Sequence, residues 1–294
     1  MKRVDGSIVD SLLFTYIIEP HQFDYMKIFK NEVSIYDCIA EWGSYPGLSD
    51  GKQKRVNLLE NKTVQKADII FTVSQELYAR RKKIKESIYY LPWAAEYTRF
   101  SKGADLDTCA DLLKYKKPFI GFIGNIWGIF DLDLMRLVAE SFPECSIILI
   151  GGLSKILPAG FKKKFNEICL IENVHWLGYK EHNILPDYLH YFDVCLMPYI
   201  INDWIKTCSP GKFYQYLAQG KSVVSVKIPE VEKYGDKDIV RIANDYDDFI
   251  EKVKEALNER STEDLKMKRQ NVARENTWQM RASKMLEILK KYNA

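Results

Sequence analysis

The fold of this chain is decided by residues 192–224, which read FDVCLMPYIINDWIKTCSPGKFYQYLAQGKSVV. The segment predicts a buried strand at 194–197, a polar loop, a helix from about 213 to 218 and a second strand from 222. In an open α/β sheet, this order presents a helix N-terminus to a ligand outside the carboxyl ends of the strands. The segment therefore predicts an anion-binding position at the start of the helix.

Lys212 stands in the first turn of the predicted helix, where the helix dipole is already positive. An anion such as a diphosphate would reverse that penalty, and the free backbone N–H groups at the helix start would help to hold it. The alternative is a surface lysine in contact with water. The position makes Lys212 a candidate for binding a diphosphate.

The same segment resembles the donor-binding segment of GT-B glycosyltransferases of family 4, whose pattern is S-P-x-K-x-x-E-Y-x-A-x-G-x-P-V-V. The residues that match the pattern are Ser209, Pro210, Lys212, Tyr216, Ala218, Gly220, Val223 and Val224. The resemblance implies that Lys212 is the catalytic cation and that Ser209, Pro210 and Gly211 belong to the donor site. It also implies that Gln215, which replaces a glutamate, contacts the donor ribose. An amide forms a weaker bond there than a carboxylate would.

The resemblance extends through residues 120–152 and 173–179. It implies that Gly124 and Asn125 form a loop that approaches a phosphate, and that Gly178 and Tyr179 lie near the nucleobase. Asp131 is expected to cap the following helix rather than bind a metal. His175 is expected to be a structural residue inside a strand.

In the first half, residues 35–47 and 67–77 are similar to two further segments of the family. Ala40 replaces the second aspartate of the first of these segments, and Glu41 stands beside it. Thr207 replaces another glutamate of the family. Residues 275–289 resemble the closing helix that packs back across the domain junction, with Trp278 expected as a buried anchor. The family's first βα units have no counterpart here.

Composition excludes several classes of protein. The 43 basic and 40 acidic residues give a net charge of +3, which is too balanced for a general nucleic-acid binder. The basic run at 80–85 is expected to be a solvated helix end, with contact to anionic lipid as the alternative. The six cysteines show no metal spacing and fit a reducing cytosol. No apolar run reaches the roughly 18 residues of a spanning helix, so any membrane contact is expected to be peripheral.

Strand patterns alternate with helix patterns along the chain, which predicts a parallel α/β fold. The predicted strands are 11–18, 33–38, 68–73, 88–92, 119–123, 146–150, 174–177, 194–197, 222–227 and 239–242, and the main predicted helices are 131–140, 161–169, 184–191 and 247–258. We expect two Rossmann-like doubly wound domains, the first of them incomplete. The predicted divisions are an acceptor-side domain at 1–100, a linker at 101–117, a nucleotide-sugar-binding domain at 118–274 and the closing helix at 275–294.

The resemblance implies transfer of a sugar from a nucleotide diphosphate sugar, with a UDP-sugar favoured, to a glycan or lipid-linked acceptor in polysaccharide synthesis. It implies retention of anomeric configuration, with no metal and no cofactor. A location in the cytoplasm, with peripheral contact at the inner face of the membrane left open, follows from the composition. A non-catalytic nucleotide-binding module, or one completed by a second chain, is the alternative. A sugar-nucleotide epimerase is a weaker one, because no acid–base pair can be assigned.

Overall fold

The computed structural model describes residues 12–15, 33–105, 107–236 and 238–292. The chain divides into two compact units, which are described separately below. The first consists of Met1–Trp93, Asn202–Ser209 and Trp278–Ala294, and the second consists of Ala94–Ile201 and Pro210–Thr277. Residues 101–117, which the sequence analysis treats as a linker, therefore lie within the second unit. Residues 11 and 16–18 of the first predicted strand lie outside the described residues.

The first unit contains a parallel sheet with the order β1-β2-β3-β4. Its strands are β1 (Leu12–Thr15), β2 (Val33–Cys38), β3 (Ile69–Thr72) and β4 (Ile88–Tyr90). Its helices are Asp50–Lys66, Gln75–Lys82, Asp203–Lys206 and Trp278–Tyr292, with a 3-10 turn at Trp42–Ser44. Four of the six residues of β2 and all four of β3 are buried, as expected for strands that are covered on both faces.

The C-terminal helix covers one face of this sheet. Its buried residues Ile288 and Leu289 pack against Ile35, Ile69 and Phe71. The prediction that Trp278 is a buried anchor is wrong, because its side chain is 42% exposed. The indole contacts the Trp93 ring edge to face at 5.5 Å, and the burial that fixes the helix comes from its last two turns instead.

The basic run at 80–85 ends the helix Gln75–Lys82, but it is not a solvated helix end throughout. Arg81 is buried and its guanidinium contacts Glu41 at 2.6 Å and Glu60 at 2.9 Å. Glu60 also accepts a hydrogen bond from Tyr36 at 2.9 Å. Burial raises the pKa of Glu60, while the charge of Arg81 acts to lower it. Arg81 is buried because it neutralises two carboxylates that the sheet and the helix Asp50–Lys66 place in the core.

The second unit contains a parallel sheet with the order β10-β9-β8-β5-β6-β7. Its strands are β5 (Phe119–Ile123), β6 (Ser146–Ile150), β7 (Val174–Trp176), β8 (Val194–Met197), β9 (Ser222–Val226) and β10 (Arg241–Ala243). Its helices are Tyr97–Phe100, Leu132–Ser141, Phe161–Cys169, Leu185–His190, Gly211–Ala218, Pro229–Glu232, Tyr246–Leu257 and Glu263–Arg274, with a 3-10 turn at Asp107–Cys109. The order reverses at β5 and β8, which gives the doubly wound topology that the sequence predicts.

The predicted bounds of β5, β6 and β8 are confirmed, and the four main predicted helices lie within one residue of their observed positions. The strand predicted at 239–242 is displaced. The N–H groups of Ile239 and Val240 both donate to the Asp236 carbonyl at 2.8 Å, so these residues form a turn and β10 begins only at Arg241. None of the described helices is both long and apolar enough to cross a membrane.

Replacement of Arg81 by methionine is expected to destabilise the first unit by about 3–5 kcal/mol, because it leaves Glu41 and Glu60 charged and without their buried partner. Arg80→Met is the matched control. Arg80 also contacts Glu41, but its side chain is 34% exposed, so its removal is expected to cost about 1 kcal/mol or less. Urea unfolding of the two variants measures the difference, and equal losses would contradict the role given to Arg81.

Candidate functional site

Three neighbouring strands of the second unit each lead into a glycine with positive φ at their carboxyl ends. Gly124 follows β5 with φ +153°, Gly151 follows β6 with φ +144°, and Gly178 follows β7 with φ +68°. The Gly124 N–H donates to the Ile150 carbonyl at 2.8 Å, and the Gly151 N–H donates to the Gly178 carbonyl at 2.8 Å. These bonds extend the sheet beyond its strands, so the three glycines line one edge.

Side chains are excluded from this edge by close contacts. A Cβ atom on Gly151 would lie 2.6 Å from the carbonyl carbon of Gly124. A Cβ atom on Gly124 would lie 2.9 Å from Cε of Lys212 and would also meet its Nζ atom. The backbone at Gly124 is therefore directly beside the Lys212 ammonium, as an anion shared by a glycine loop and a lysine requires.

Lys212 is the second residue of the helix Gly211–Ala218. Its Nζ atom donates to the Tyr199 hydroxyl and lies 4.5 Å from the centroid of the Phe122 ring. The ammonium is therefore held by cation–π contact with the Phe122 ring and by the hydrogen bond to the Tyr199 hydroxyl. Phe122 belongs to β5 and Tyr199 follows β8, so the lysine is directed toward the point where the strand order reverses.

Tyr216 fixes the position of this helix relative to the glycine loop. Its ring is fully buried, and its hydroxyl accepts a hydrogen bond from the Ile123 N–H at 3.0 Å. Because Ile123 immediately precedes Gly124, this single bond ties the helix that carries Lys212 to the end of β5. The same hydroxyl is 3.4 Å from the Ile123 carbonyl, to which it donates.

The other residues predicted for the donor site occupy varied positions. Pro210 is the N-cap of the helix and provides no side-chain cap, and Gly211 is the first helical residue. Gln215 lies one turn beyond Gly211 and three residues after Lys212, which places it on the same side of the helix as both. It is half-buried, and its side chain makes no hydrogen bond with any residue that the structure describes. Ser209 belongs to the first unit, where its hydroxyl accepts the Trp93 N–H at 3.2 Å.

A cavity of about 290 Å³ opens at the glycine-lined edge. Asn125 and Tyr179 line it together with Gly124, and Tyr179 is 68% exposed. Sequence reasoning missed Lys180 and His182, which also line the cavity. The glycine pair at 151–152 after the apolar run of β6 was a signal that could have identified Gly151. No comparable signal marked Tyr199, because its contact with Lys212 requires the folded sheet.

Lys180 is anchored by a carboxylate within the second unit. Its ammonium contacts Asp111 at 2.6 Å, and Tyr188 donates to the same carboxylate at 2.7 Å. Burial acts to raise the pKa of Asp111, but the hydrogen bonds from Lys180 and Tyr188 outweigh it, and the pKa is lowered. The ion pair fixes Lys180 as a charged group at the rim of the cavity.

Two structural predictions are confirmed. Asp131 caps the helix Leu132–Ser141 by accepting the N–H groups of Asp133 and Leu134, and its second oxygen accepts from the Tyr246 hydroxyl at 2.7 Å. His175 lies in β7 and stacks on Tyr115 with ring centroids 3.8 Å apart. Burial lowers the pKa of His175. Within the described ranges, no group of three or more His, Cys, Asp or Glu side chains is arranged to hold a metal ion.

Two further positions at which the sequence departs from the family pattern lie in the first unit. Thr207 is fully buried, and its hydroxyl donates to the Trp204 carbonyl at 2.9 Å. Ala40 is buried, and the neighbouring Glu41 is engaged by Arg80 and Arg81. Both positions therefore serve the packing of the first unit in this structure.

Substitution of Gly124 by alanine is expected to lower the thermal unfolding midpoint, because the new methyl group meets the Lys212 side chain at a φ that L-residues rarely adopt. We expect a loss of about 1–3 kcal/mol. Gly152→Ala is the control, since nothing lies within 4 Å of a Cβ atom there. Indistinguishable midpoints for the two variants would contradict the close approach at Gly124.

Parts of the chain are similar to known proteins. Residues 117–259 match the family model described as Glycosyl transferases group 1. A protein of Bacillus subtilis (strain 168) named "Putative teichuronic acid biosynthesis glycosyltransferase TuaH" is 26% identical over 255 residues. That match covers 83% of this chain but only 63% of the relative, so the chain spans less than two thirds of the relative's length.

Solved structures share the fold at low sequence identity. Sucrose-phosphate synthase from Thermosynechococcus elongatus aligns with a TM-score of 0.73 at 17% identity, covering 95% of this chain and 73% of that one. HepE of Anabaena in complex with UDP aligns with a TM-score of 0.74 at 12% identity, covering 96% and 79%. Together with the two parallel sheets, these alignments show the GT-B fold, and residues 117–259 are the part of the chain that matches the glycosyl transferases group 1 family model.

Proposed function

We propose that this chain transfers a sugar from a nucleotide diphosphate sugar, most suitably a UDP-sugar, to a glycan or lipid-linked acceptor in the synthesis of a cell-surface polysaccharide. The observation that carries the proposal is the position of the Lys212 ammonium beside the Gly124 backbone at the carboxyl edge of the second sheet. A lysine, a glycine loop and a helix start that converge at one point suit the two phosphates of a nucleotide donor.

The comparisons support the donor class. HepE, which shares the fold, has been solved in complexes with UDP and with UDP-glucose. TuaH, the curated relative, is named for teichuronic acid biosynthesis. These names support two parts of the proposal for this chain, namely a UDP-sugar donor and a polysaccharide product.

In the proposed reaction, the bond between the anomeric carbon and the diphosphate oxygen breaks, and the electron pair leaves with the diphosphate. Lys212 and the backbone N–H groups at the start of the helix Gly211–Ala218 stabilise this developing charge. The acceptor hydroxyl oxygen then bonds to the anomeric carbon on the face that the diphosphate leaves, and its proton passes to the departing diphosphate oxygen. The configuration is retained, and the positive charge that a metal supplies in other transferases comes here from Lys212.

The 290 Å³ cavity beyond Gly124 is the proposed position of the nucleoside. Tyr179 is exposed there, so its ring is available to stack on a base. Gly178 has positive φ and no side chain, which allows the base to approach the backbone. Gln215 lies on the Lys212 side of the helix, where its amide can bond a ribose hydroxyl without a charge.

A second candidate function is a module that binds a nucleotide without catalysis. Gln215 favours it, because an uncharged amide holds the ribose less firmly than a carboxylate. Ala40 also favours it, because an alanine cannot serve as an acid or base toward an acceptor. Both candidates require the nucleotide site, and the production of a glycosylated acceptor distinguishes them.

Lys212→Ala is expected to weaken UDP binding by about 1–3 kcal/mol, the range of a hydrogen bond to a charged group. Calorimetric titration of the purified chain with UDP, GDP and ADP measures the affinity and the preferred base. Lys254→Ala is the control, because Lys254 is an exposed lysine in the last turn of the helix Tyr246–Leu257. UDP affinity that is unchanged in Lys212→Ala would remove the assignment of Lys212.

Gln215→Glu is expected to tighten binding of a nucleotide diphosphate by about 1 kcal/mol, because a carboxylate accepts ribose hydroxyls more strongly than an amide does. The same titration with 2′,3′-dideoxy-UDP provides the control, since that nucleotide lacks the hydroxyls and should show no gain. Equal gains for both nucleotides would place Gln215 away from the ribose.

A further inference from the structure

A second and larger cavity lies in the second unit at the edge of the sheet opposite the glycine-lined site. Its volume is about 460 Å³, within the range of about 300–1,000 Å³ that is typical of small-molecule sites. Asp193 immediately precedes β8, and Lys221 and Ser222 stand at the start of β9, so the cavity opens at the amino ends of these strands. The glycine-lined site lies at the carboxyl ends.

One wall of this cavity is a rigid ionic frame. Glu259 accepts hydrogen bonds from Arg269 at 2.7 Å and from Arg241 at 2.8 Å. Arg269 is 2% exposed, and its Nε atom donates to the Asp238 carbonyl at 2.8 Å. The negative charge of Glu259 is therefore already neutralised by two arginines. The Glu259 carboxylate therefore neither attracts a positively charged ligand nor repels a negatively charged one strongly.

Lys221 is the half-buried cation of the cavity. Its ammonium donates to the His190 carbonyl, and it forms no ion pair with any carboxylate of the described residues. Burial lowers the pKa of Lys221; the nearby Cys195 and Asp193 act to raise it, and the positive charges of Lys117 and Lys266 act to lower it further. An ammonium group that is partly removed from water and lacks an anionic partner is a favourable position for a bound anion.

The neighbouring acidic groups are engaged by other partners. Asp193 accepts the Phe119 N–H at 2.7 Å and contacts Lys117 at 3.7 Å. Glu263 contacts Lys266 at 3.6 Å. Lys102, whose side chain is exposed, adds a further cation at the rim. The charges that remain available to a ligand are therefore positive.

The rest of the lining is polar and suits hydroxyl groups. Gln270 donates to the Ala218 carbonyl at 3.3 Å, and its side-chain oxygen accepts from no group that the structure describes. Ser101 and Ser222 contribute hydroxyl groups to the same cavity. The Ser222 hydroxyl already accepts a hydrogen bond from Arg241 at 2.9 Å, so Ser101 and the Gln270 oxygen are the groups that a ligand larger than a phosphate ion would reach.

We propose that this cavity binds a small phosphorylated polyol of the sugar phosphate class, with its phosphate on Lys221 and Lys102 and its hydroxyls on Ser101 and Gln270. The site is separate from the nucleotide site and does not depend on the function proposed above. The helix Gly211–Ala218 carries Lys212 in its first turn and is followed by Gln219, Gly220 and Lys221 at the cavity, so one short helix joins the two sites.

The test is calorimetric titration of the full chain with glucose 6-phosphate, with glucose and inorganic phosphate as separate probes. We expect saturable binding of glucose 6-phosphate that is tighter than the binding of glucose or of inorganic phosphate. Lys221→Met is expected to weaken it at least about tenfold, the effect of losing one charged hydrogen bond. Lys162→Ala is the control, because Lys162 is an exposed lysine in the helix Phe161–Cys169.

Lys212→Ala separates the two sites, since it should leave glucose 6-phosphate binding unchanged. Lys102→Glu is a second variant for the case in which Lys221→Met lowers the thermal midpoint of the chain. It changes an exposed side chain, and it is expected to weaken glucose 6-phosphate binding. The proposal is overturned by a dissociation constant weaker than about 1 mM for the sugar phosphate. It is also overturned if Lys221→Met and Lys102→Glu both bind glucose 6-phosphate as tightly as the unsubstituted chain, or if Lys212→Ala loses binding.

Discussion

The hydrogen bond between the Tyr216 hydroxyl and the Ile123 N–H is the interaction on which the candidate donor site depends. It joins the helix that carries Lys212 to the last residue of β5, immediately before Gly124. Without a fixed helix, the absence of a side chain at Gly124 would have no consequence, because the ammonium would not lie against the backbone there. Tyr216 is fully buried, so the bond is formed away from water and has little competition.

The two units use buried charge in different ways. In the first, Arg81 forms ion pairs with Glu41 and Glu60 inside the core, so these charges neutralise one another. In the second, the Lys212 ammonium donates to the Tyr199 hydroxyl and lies over the Phe122 ring, and these contacts fix its position. A paired arginine contributes to the packing of one unit, whereas a lysine held in this way suits an anionic ligand.

The second sheet presents distinct chemistry at its two edges. The carboxyl ends of β5, β6 and β7 lead into glycines that allow close approach of the backbone. At the amino ends of β8 and β9, polar side chains and Lys221 surround the larger cavity. A parallel sheet produces this difference directly, because all strands begin at one edge and end at the other. A change in the helix Gly211–Ala218 would affect both edges of the sheet. Lys212, near the start of the helix, lies beside Gly124 at one edge, and residues 219–221, which follow the helix, line the larger cavity at the other.

Local sequence patterns were enough to predict the alternation of strands and helices, the doubly wound class of the second sheet and the placement of Lys212 in the first turn of its helix. Apolar runs and glycines are local signals, and the helix dipole acts within one turn, so neighbouring residues were sufficient. Only the tertiary structure decided that Gly151 approaches Gly124, that Tyr199 and Phe122 hold Lys212, and that Arg81 is buried. These contacts join residues far apart in the chain, and their partners are set by strand order and register, which local patterns do not contain. Trp278 shows the same limit, because its exposure depends on which turns of the last helix reach the sheet.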